Sequence, residues 1–185
     1  TGVQTCALPI CTGANFERVV GQLREKLGCD AIPMQIPIGK EDKLEGVIDL
    51  VSMKAAYFDG DNGEHVREEK IPDALAKAAA EGRHAMLEAL AMYSDTLMEK
   101  LLSEQPVSED EIHAVVKAAV QSQSITPVFC GSAYKNKGVQ KLLDAVVRYL
   151  PSPLERKVIA KKWDNPDEAF DRSEEHTSEL QSRVD

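Results

Sequence analysis

Apolar residues recur at three- and four-residue intervals in five segments of the chain, the spacing of helices that bury one face. These segments are residues 15–27, 73–92, 94–102, 108–122 and 139–150. Gly28 provides a C-terminal stop for the first helix. Ser108 and Glu111 have the spacing of a capping box at the start of the fourth. The fifth has the most regular apolar face, formed by Val139, Leu142, Leu143, Val146, Val147 and Leu150.

Alternating and β-branched apolar runs predict strands after the first helix and before the last. The runs are residues 33–39, 47–51, 53–58, 64–71 and 125–130. Pro33 and Pro37 make the first run either an edge strand or a strand with an interrupted ladder, because neither can donate to a neighbouring strand. The turn sequence at residues 59–63 predicts that the third and fourth runs form a hairpin. The last run is short and mostly apolar, which is consistent with a buried strand.

The order of these elements predicts an α/β fold interrupted by a separate unit. Residues 12–38 and 108–153 have α/β character. Residues 39–107 are predicted to form an inserted α+β subdomain. The polar, helix-poor residues 154–171 suit a linker toward a second domain.

The composition narrows the class of protein. With 185 residues, 43% of them hydrophobic, the chain can build the core of one domain with an insertion. Its net charge of −9 argues against autonomous nucleic-acid binding, which normally uses a basic face. No apolar run approaches the ~20 residues of a membrane-spanning helix. The four cysteines fit neither a disulfide framework nor a metal site, and are typical of reduced thiols in a cytoplasmic protein.

Both chain ends fall outside the pattern of apolar positions. Residues 1–11 and 172–185 carry neither an apolar period nor a targeting signal. Both resemble the translation of a sequencing-library adapter. We therefore expect them to be artefactual tails on a gene fragment.

The candidate site is the loop of small residues between the last strand and the last helix. In open α/β sheets, ligands bind where the loop after a strand presents its backbone amides. The small side chains of Ser132 and Ala133 would let a planar ring approach these amides. The Ala133 N–H could donate to guanine O6, whereas the amino group of adenine offers no acceptor. From the spacing alone, a plain turn is the alternative, and residues 135–138 are predicted to be a solvated helix start.

Longer stretches around this loop resemble one known family. They are Thr12–Phe16, Ile36–Gly39, Gly46–Leu50, Met98–Lys100, Cys130–Gln140, Leu142–Val146 and Tyr149–Pro153. Together they resemble the C-terminal part of the GTPase domain of translation elongation factor G, with the subdomain that this family inserts. The resemblance implies a partial P-loop-type GTPase domain, a three-layer α/β fold with a remnant of the parallel sheet.

The resemblance also implies GTP and GDP as ligands. Ser132 and Ala133 would hold the guanine through backbone amides, with Tyr134 near the ring. The parent protein would be a cytoplasmic GTPase that drives movement of tRNA and mRNA on the ribosome. The sequence has no Gly-x-x-x-x-Gly-Lys-[Ser/Thr], Asp-x-x-Gly or Asn-Lys-x-Asp motif, so ligands for Mg²⁺ and catalytic residues are missing here. We therefore expect the chain alone neither to bind GTP measurably nor to hydrolyse it.

The alternative function is a non-catalytic protein-interaction module. In elongation factor G the insertion contacts the stalk protein of the large ribosomal subunit, and the resemblance implies the same partner. The charged faces of helices 73–102 and 108–122 suit such a partner, but a solvated helix exterior is the more common reason for such faces. Charge reversal at Glu99 or Lys100 distinguishes the two interpretations. No membrane partner is expected.

Overall fold

The computed structural model describes residues 15–39, 43–60 and 63–152, and the backbone of two strands at 159–161 and 169–171. The chain divides into two compact units, with the boundary between Leu150 and Pro151. The predicted tails, residues 1–11 and 172–185, lie outside the described residues.

The first unit contains five described helices and six described strands. The helices are α1 (Phe16–Leu27), α2 (Asp73–Ala91), α3 (Asp95–Leu102), α4 (Glu109–Gln121) and α5 (Val139–Tyr149). The strands are β1 (Ala31–Pro33), β2 (Gln35–Ile38), β3 (Gly46–Asp49), β4 (Lys54–Asp59), β5 (His65–Glu69) and β6 (Thr126–Val128). The second unit contains β7 (Ile159–Lys161) and β8 (Ala169–Asp171), which pair antiparallel inside the segment expected to be a linker.

Two sheets organise the first unit. Strands β1 and β6 are parallel neighbours, although the whole of β2–β5, α2, α3 and α4 lies between them in sequence. Strands β2, β3, β4 and β5 form an antiparallel sheet in that order. The predicted α/β fold with an inserted α+β subdomain is confirmed by this arrangement, because the antiparallel sheet interrupts a parallel pair.

The single strand predicted at residues 33–39 is wrong in one respect. Met34 divides it into β1 and β2, and its backbone bonds to both sheets. The Met34 N–H donates to Val128 O at 2.9 Å, while the Met34 carbonyl accepts from Leu50 N–H at 3.0 Å. Apolar alternation continues across this point and gives no sign of the change of partner. Pro37 lies in β2 at an edge of the antiparallel sheet, as predicted for a residue without an N–H.

Local capping signals place the helix ends where the sequence indicates. Asn15 accepts a hydrogen bond from Arg18 N–H at 3.0 Å and so begins α1. Gly28 ends α1 in the left-handed conformation, with φ of 61°. At the start of α4, both halves of the Ser108–Glu111 capping box are formed.

The main core lies between the antiparallel sheet and the helices α2, α3 and α4. Its most deeply buried large side chains include Ile32, Met34, Ile48, Leu50, Met86, Leu90, Ile112 and Val116. The parallel pair β1–β6 joins this core through Ile32. The inserted sheet and the parallel pair are therefore packed against one continuous apolar interior.

The predictions for β6 and α5 need correction. Strand β6 is only half-buried, with Thr126 exposed, rather than fully buried. On α5 the predicted apolar face is largely exposed, and Val147 retains 84% of its accessible surface. Helix α5 instead buries Ala145 and Tyr149. Within the described residues the parallel sheet has only two strands, so it offers too little surface to cover that face.

The described part of the chain includes no helix that is long and apolar enough to cross a membrane.

Candidate functional site

The loop between β6 and α5 is closed by its own backbone. The Ser132 N–H donates to Lys137 O at 2.7 Å, and the Lys137 N–H donates back to Ser132 O at 3.0 Å. A further bond of 3.2 Å runs from Asn136 N–H to Ala133 O. Together these bonds fix a tight turn with Ala133 and Tyr134 at its tip.

Two glycines allow the two sides of this loop to approach closely. A Cβ on Gly131 would lie 2.6 Å from Lys137 O, and one on Gly138 would lie 2.6 Å from Cys130 O. Gly138 also has a φ of 82°, in the left-handed region that side chains disfavour. The loop therefore requires glycine at both positions.

Ser132 is completely buried, which explains the need for a small side chain. Its hydroxyl accepts a hydrogen bond from Lys135 N–H at 3.3 Å, so the buried oxygen is satisfied within the loop. The Ser132 N–H already donates to Lys137 O. Ser132 thus supports the turn from inside, and its amide is not available to a ligand in this conformation.

Ala133 presents the donor that the sequence predicts. The residue is exposed, and its N–H has no hydrogen-bond partner within the part of the chain that the structure describes. Tyr134 follows with its side chain 86% exposed. Of the two amides expected to hold a base, the Ala133 N–H is therefore the one without a partner among the described residues.

The thiol of Cys130, at the base of the loop, is unreactive near neutral pH. Burial raises the pKa of Cys130 to about 12, so the thiol stays protonated near neutral pH. Its backbone N–H donates to Gln35 Oε1 at 3.4 Å. Among the described residues there is no cluster of three or more His, Cys, Asp or Glu that could hold a metal ion. The arrangement therefore offers a hydrogen-bond donor at Ala133, and the Cys130 thiol is not an activated nucleophile.

Sequence comparison places this loop in a known domain. The family model described as "Elongation factor Tu GTP binding domain" matches residues 9–152, well over half of the chain. The chain belongs to this family. The matched range begins within the predicted tail 1–11 and ends one residue before the end of the predicted GTPase-domain part 108–153.

The relatives are elongation factors G. A protein of that name from Rhodopirellula baltica is 57% identical over 147 residues, which cover 80% of this chain and 21% of the relative. Elongation factor G 1 of Treponema pallidum is 51% identical over 144 residues, covering 78% of this chain and 21% of the relative. These matches confirm the resemblance to elongation factor G. The chain spans about a fifth of the length of the curated relatives it matches.

A solved structure of a protein from Thermus thermophilus has a similar fold. It superimposes with a TM-score of 0.67 and 27% identity, covering 80% of this chain and 22% of that one. The match supports a partial α/β GTPase domain with an inserted subdomain.

The sequence did not indicate the contacts that hold the loop from outside. Residues 135–137, predicted to be solvated, are half-buried, and Gly138 is buried. The Lys137 side chain crosses to the inserted sheet, where Nζ donates to Leu44 O at 2.9 Å. These residues are 93 positions apart, so no local pattern reports the bond.

Proposed function

We propose that this chain supplies the guanine-contacting loop of a translational GTPase of the elongation factor G type. The observation that carries the proposal is the unpartnered, exposed N–H of Ala133 at the tip of a closed turn. In this function the Ala133 N–H donates to guanine O6. Ser132 keeps the turn closed, and the exposed Tyr134 ring flanks the base.

Such a donor distinguishes guanine from adenine. Guanine offers a carbonyl oxygen at position 6, whereas adenine offers an amino group that also donates. With adenine, the Ala133 N–H and the amino group would both be donors, and neither would have an acceptor. When water is excluded, such an unpaired group weakens binding by about 1–3 kcal/mol. Selectivity then follows from one backbone group, with no base-specific side chain.

We propose that the chain alone does not hydrolyse GTP. Most of the affinity of a P-loop GTPase for its nucleotide comes from backbone amides, a lysine and Mg²⁺ around the phosphates. The motifs that supply these groups do not occur in this sequence. GTP-driven translocation of tRNA and mRNA belongs, in this proposal, to a protein that combines the loop with those motifs.

The test uses two measurements on the purified chain. Isothermal titration at micromolar GDP should give no binding heat, because the chain lacks the phosphate-binding motifs. Micromolar affinity would contradict the expectation that these motifs supply most of the binding. At millimolar GDP, ¹⁵N NMR should show a shift of the Ala133 amide that ADP does not produce. Ala133→Pro removes the N–H and should abolish the GDP response of the neighbouring amides. Equal responses to GDP and ADP would argue against guanine recognition.

A second candidate function is protein interaction through α3. An open groove of about 510 Å³ runs along this helix and is lined by Asp95, Met98, Glu99, Leu102, Ser103 and Gln105. Leu102 is 79% exposed there, and Asp95 and Glu99 line the same groove. This mixture of apolar and acidic groups suits a protein partner with an apolar, basic face. On the ribosome, the partner in this proposal is the stalk protein of the large subunit.

Glu99→Lys tests the interaction without disturbing the fold. Glu99 is exposed in the groove, whereas Lys100 pairs with Glu111 of the α4 capping box and is unsuitable for charge reversal. Reversal at Glu99 should weaken binding of a purified stalk-protein C-terminal domain. Glu81→Lys is the matched control, because it makes the same change of charge at an exposed position on α2. If Glu99→Lys binds the stalk-protein domain as well as the unsubstituted chain does, α3 is not the binding surface and its charged face is only solvated exterior.

A further inference from the structure

We infer that the inserted antiparallel sheet positions the guanine-contacting loop, so that purine affinity depends on residues far from the base. The inference rests on the proposed function and adds a set of positioning residues to it. Four separate contacts join the loop and the start of α5 to the sheet. Each contact comes from a different strand or connection of this sheet.

The first two contacts hold the two ends of the loop. At its beginning, Cys130 N–H donates to the buried side chain of Gln35 on β2. At its end, Lys137 Nζ donates to Leu44 O in the β2–β3 connection. Lys137 is also the residue whose backbone closes the turn with Ser132. Displacing this connection therefore acts on the hydrogen bonds that define the turn.

The third contact is made by the turn of the β4–β5 hairpin. Gln140 Nε2, in the first turn of α5, donates to Gly63 O at 3.0 Å. Gly63 is buried, and a Cβ there would lie 2.9 Å from the carbonyl oxygens of both Lys135 and Asn136. The hairpin turn thus packs backbone to backbone against the loop.

The fourth contact is an ion pair between β5 and α5. Lys141 Nζ lies 2.6 Å from Glu68 Oε1, and the Lys141 side chain is only 21% exposed. The hydrogen bond from Lys141 lowers the pKa of Glu68, so this carboxylate is charged at neutral pH. Glu68 has a second, looser partner in Lys54, at 3.5 Å on the neighbouring strand β4. Lys54 provides a matched control, because it shares Glu68 and, among the described residues, has no hydrogen bond or ion pair with α5.

These contacts predict that movement of the β4–β5 hairpin changes the geometry of the guanine-contacting loop. A partner that shifts the β4–β5 hairpin loosens Gly63, Glu68 and the Ser132–Lys137 turn together. The Ala133 N–H then loses the fixed orientation that a single donor needs in order to select a base. The insertion acts in this way as a positioning element that raises or lowers guanine affinity.

The test compares Lys141→Met, Gln140→Leu and Lys54→Met in the full chain, with GDP as the probe. Amide exchange of Ser132 and Lys137 reports the turn without nucleotide, and the Ala133 NMR shift at millimolar GDP reports base binding. Lys141→Met and Gln140→Leu should each speed amide exchange and weaken GDP binding about two- to fivefold, the range of a modest ion pair or hydrogen bond. Lys54→Met should change neither, and Lys141→Arg should restore both.

The outcomes separate this inference from the proposed function. If the unsubstituted chain shows no GDP-dependent shift at Ala133, the proposed function fails and this inference fails with it. If that shift is present but is the same in Lys141→Met, Gln140→Leu and Lys54→Met, only the positioning role is overturned. Thermal unfolding of each variant shows whether a weaker GDP response reflects loss of fold. A response that follows the unfolding midpoint in all variants, including Lys54→Met, also contradicts positioning.

Discussion

The imidazole of His113 on α4 accepts a hydrogen bond from the guanidinium of Arg148 on α5, with Nε2 and Nη1 2.6 Å apart. Arginine can only donate, so Nε2 carries no proton. The other ring nitrogen, Nδ1, lies 2.7 Å from the hydroxyl of Tyr149 and is the protonated one. This neutral histidine is the polar part of the contact between α4 and α5.

The first prediction concerns the pH dependence of stability through His113. Burial first, and then the charge of Arg148, lower the pKa of His113, against weaker opposing effects of Asp49, Glu109 and Asp110. The unfolded chain, with a histidine pKa near ~6.5, then binds more protons than the folded chain. Stability should therefore fall as pH drops through about 6.5.

Urea unfolding at pH 5, 6 and 7 measures this effect. In His113→Gln the fall between pH 7 and pH 5 should become smaller, because the titrating group is gone. His84→Gln is the control, since His84 lies on the exposed side of α2 with its side chain 70% exposed. An identical pH dependence in His113→Gln and the unsubstituted chain would exclude His113 as the source.

The second prediction concerns acid stability through Glu111. Hydrogen bonds from Lys100 and from the Ser108 backbone and hydroxyl lower the pKa of Glu111 to about 2. A carboxylate with a lowered pKa stabilises the folded state above its unfolded pKa near 4.5, and the stabilisation is lost as pH falls toward 2. Glu111→Gln should therefore flatten the decrease in melting temperature below pH 4.5.

Glu109→Gln is the matched control for the second prediction. Both residues lie in the first turn of α4, so both interact with the helix dipole, but only Glu111 completes the capping box. Thermal melts followed by circular dichroism between pH 5 and pH 2.5 give the comparison. Equal flattening in both variants would assign the effect to helix charge and not to the Glu111 contacts.

Local signals in the sequence were sufficient to predict most helix ends and the β4–β5 hairpin. The Ser108 capping box, the Gly28 stop and the turn before His65 each depend on residues a few positions apart, and each is confirmed. Met34 differs, because its two backbone bonds go to partners on different sheets. The division between β1 and β2 is decided by tertiary pairing that single-sequence alternation does not encode.

The position of the candidate loop could be predicted from the sequence, but the contacts that hold the loop in place could not. Small residues between a strand and a helix indicated the loop around Ser132 and Ala133. The sequence did not show that Ser132 N–H is used inside the turn, because that depends on the backbone path through Asn136, which has a positive φ of 49°. Nor did it show the contact of Lys137 with Leu44, which joins distant parts of the chain.

The third prediction tests the close approach inside the loop. Gly138→Ala places a Cβ against Cys130 O and forces a side chain into the left-handed region. It should lower the free energy of unfolding by about 2 kcal/mol or more. Gly21→Ala is the control, since Gly21 lies within α1 and the methyl group added there would meet no neighbouring atom within 4 Å. It should raise stability by about 0.5–1 kcal/mol.

Chemical denaturation of both glycine variants checks the sign as well as the size of each change. Opposite signs are expected, because one substitution adds a clash and the other removes backbone freedom from a helix. Equal and small effects would mean that the loop can move its two sides apart at no cost, and that its closed geometry is not required for folding.

The fourth prediction concerns the face of α5. Val147 is 84% exposed and Ala145 is 8% exposed, although both lie on the helix whose apolar pattern is the most regular in the sequence. Val147→Glu should change the free energy of unfolding by no more than about 0.5 kcal/mol, as for other surface sites. Ala145→Glu buries a charge and should cost at least about 3 kcal/mol.

The exposed face also predicts association of the purified chain. Leu142, Leu143, Val146, Val147 and Leu150 are each at least 42% exposed, so a single acidic substitution there interrupts a continuous apolar strip. In sedimentation velocity over a range of concentrations, the unsubstituted chain should form larger species as concentration rises, and Val147→Glu should remain closer to monomer. The unfolding measurements on the two variants provide a second check. If Val147→Glu destabilises the chain as much as Ala145→Glu does, Val147 must be buried. Helix α5 would then pack in solution through the apolar face that the sequence pattern predicts.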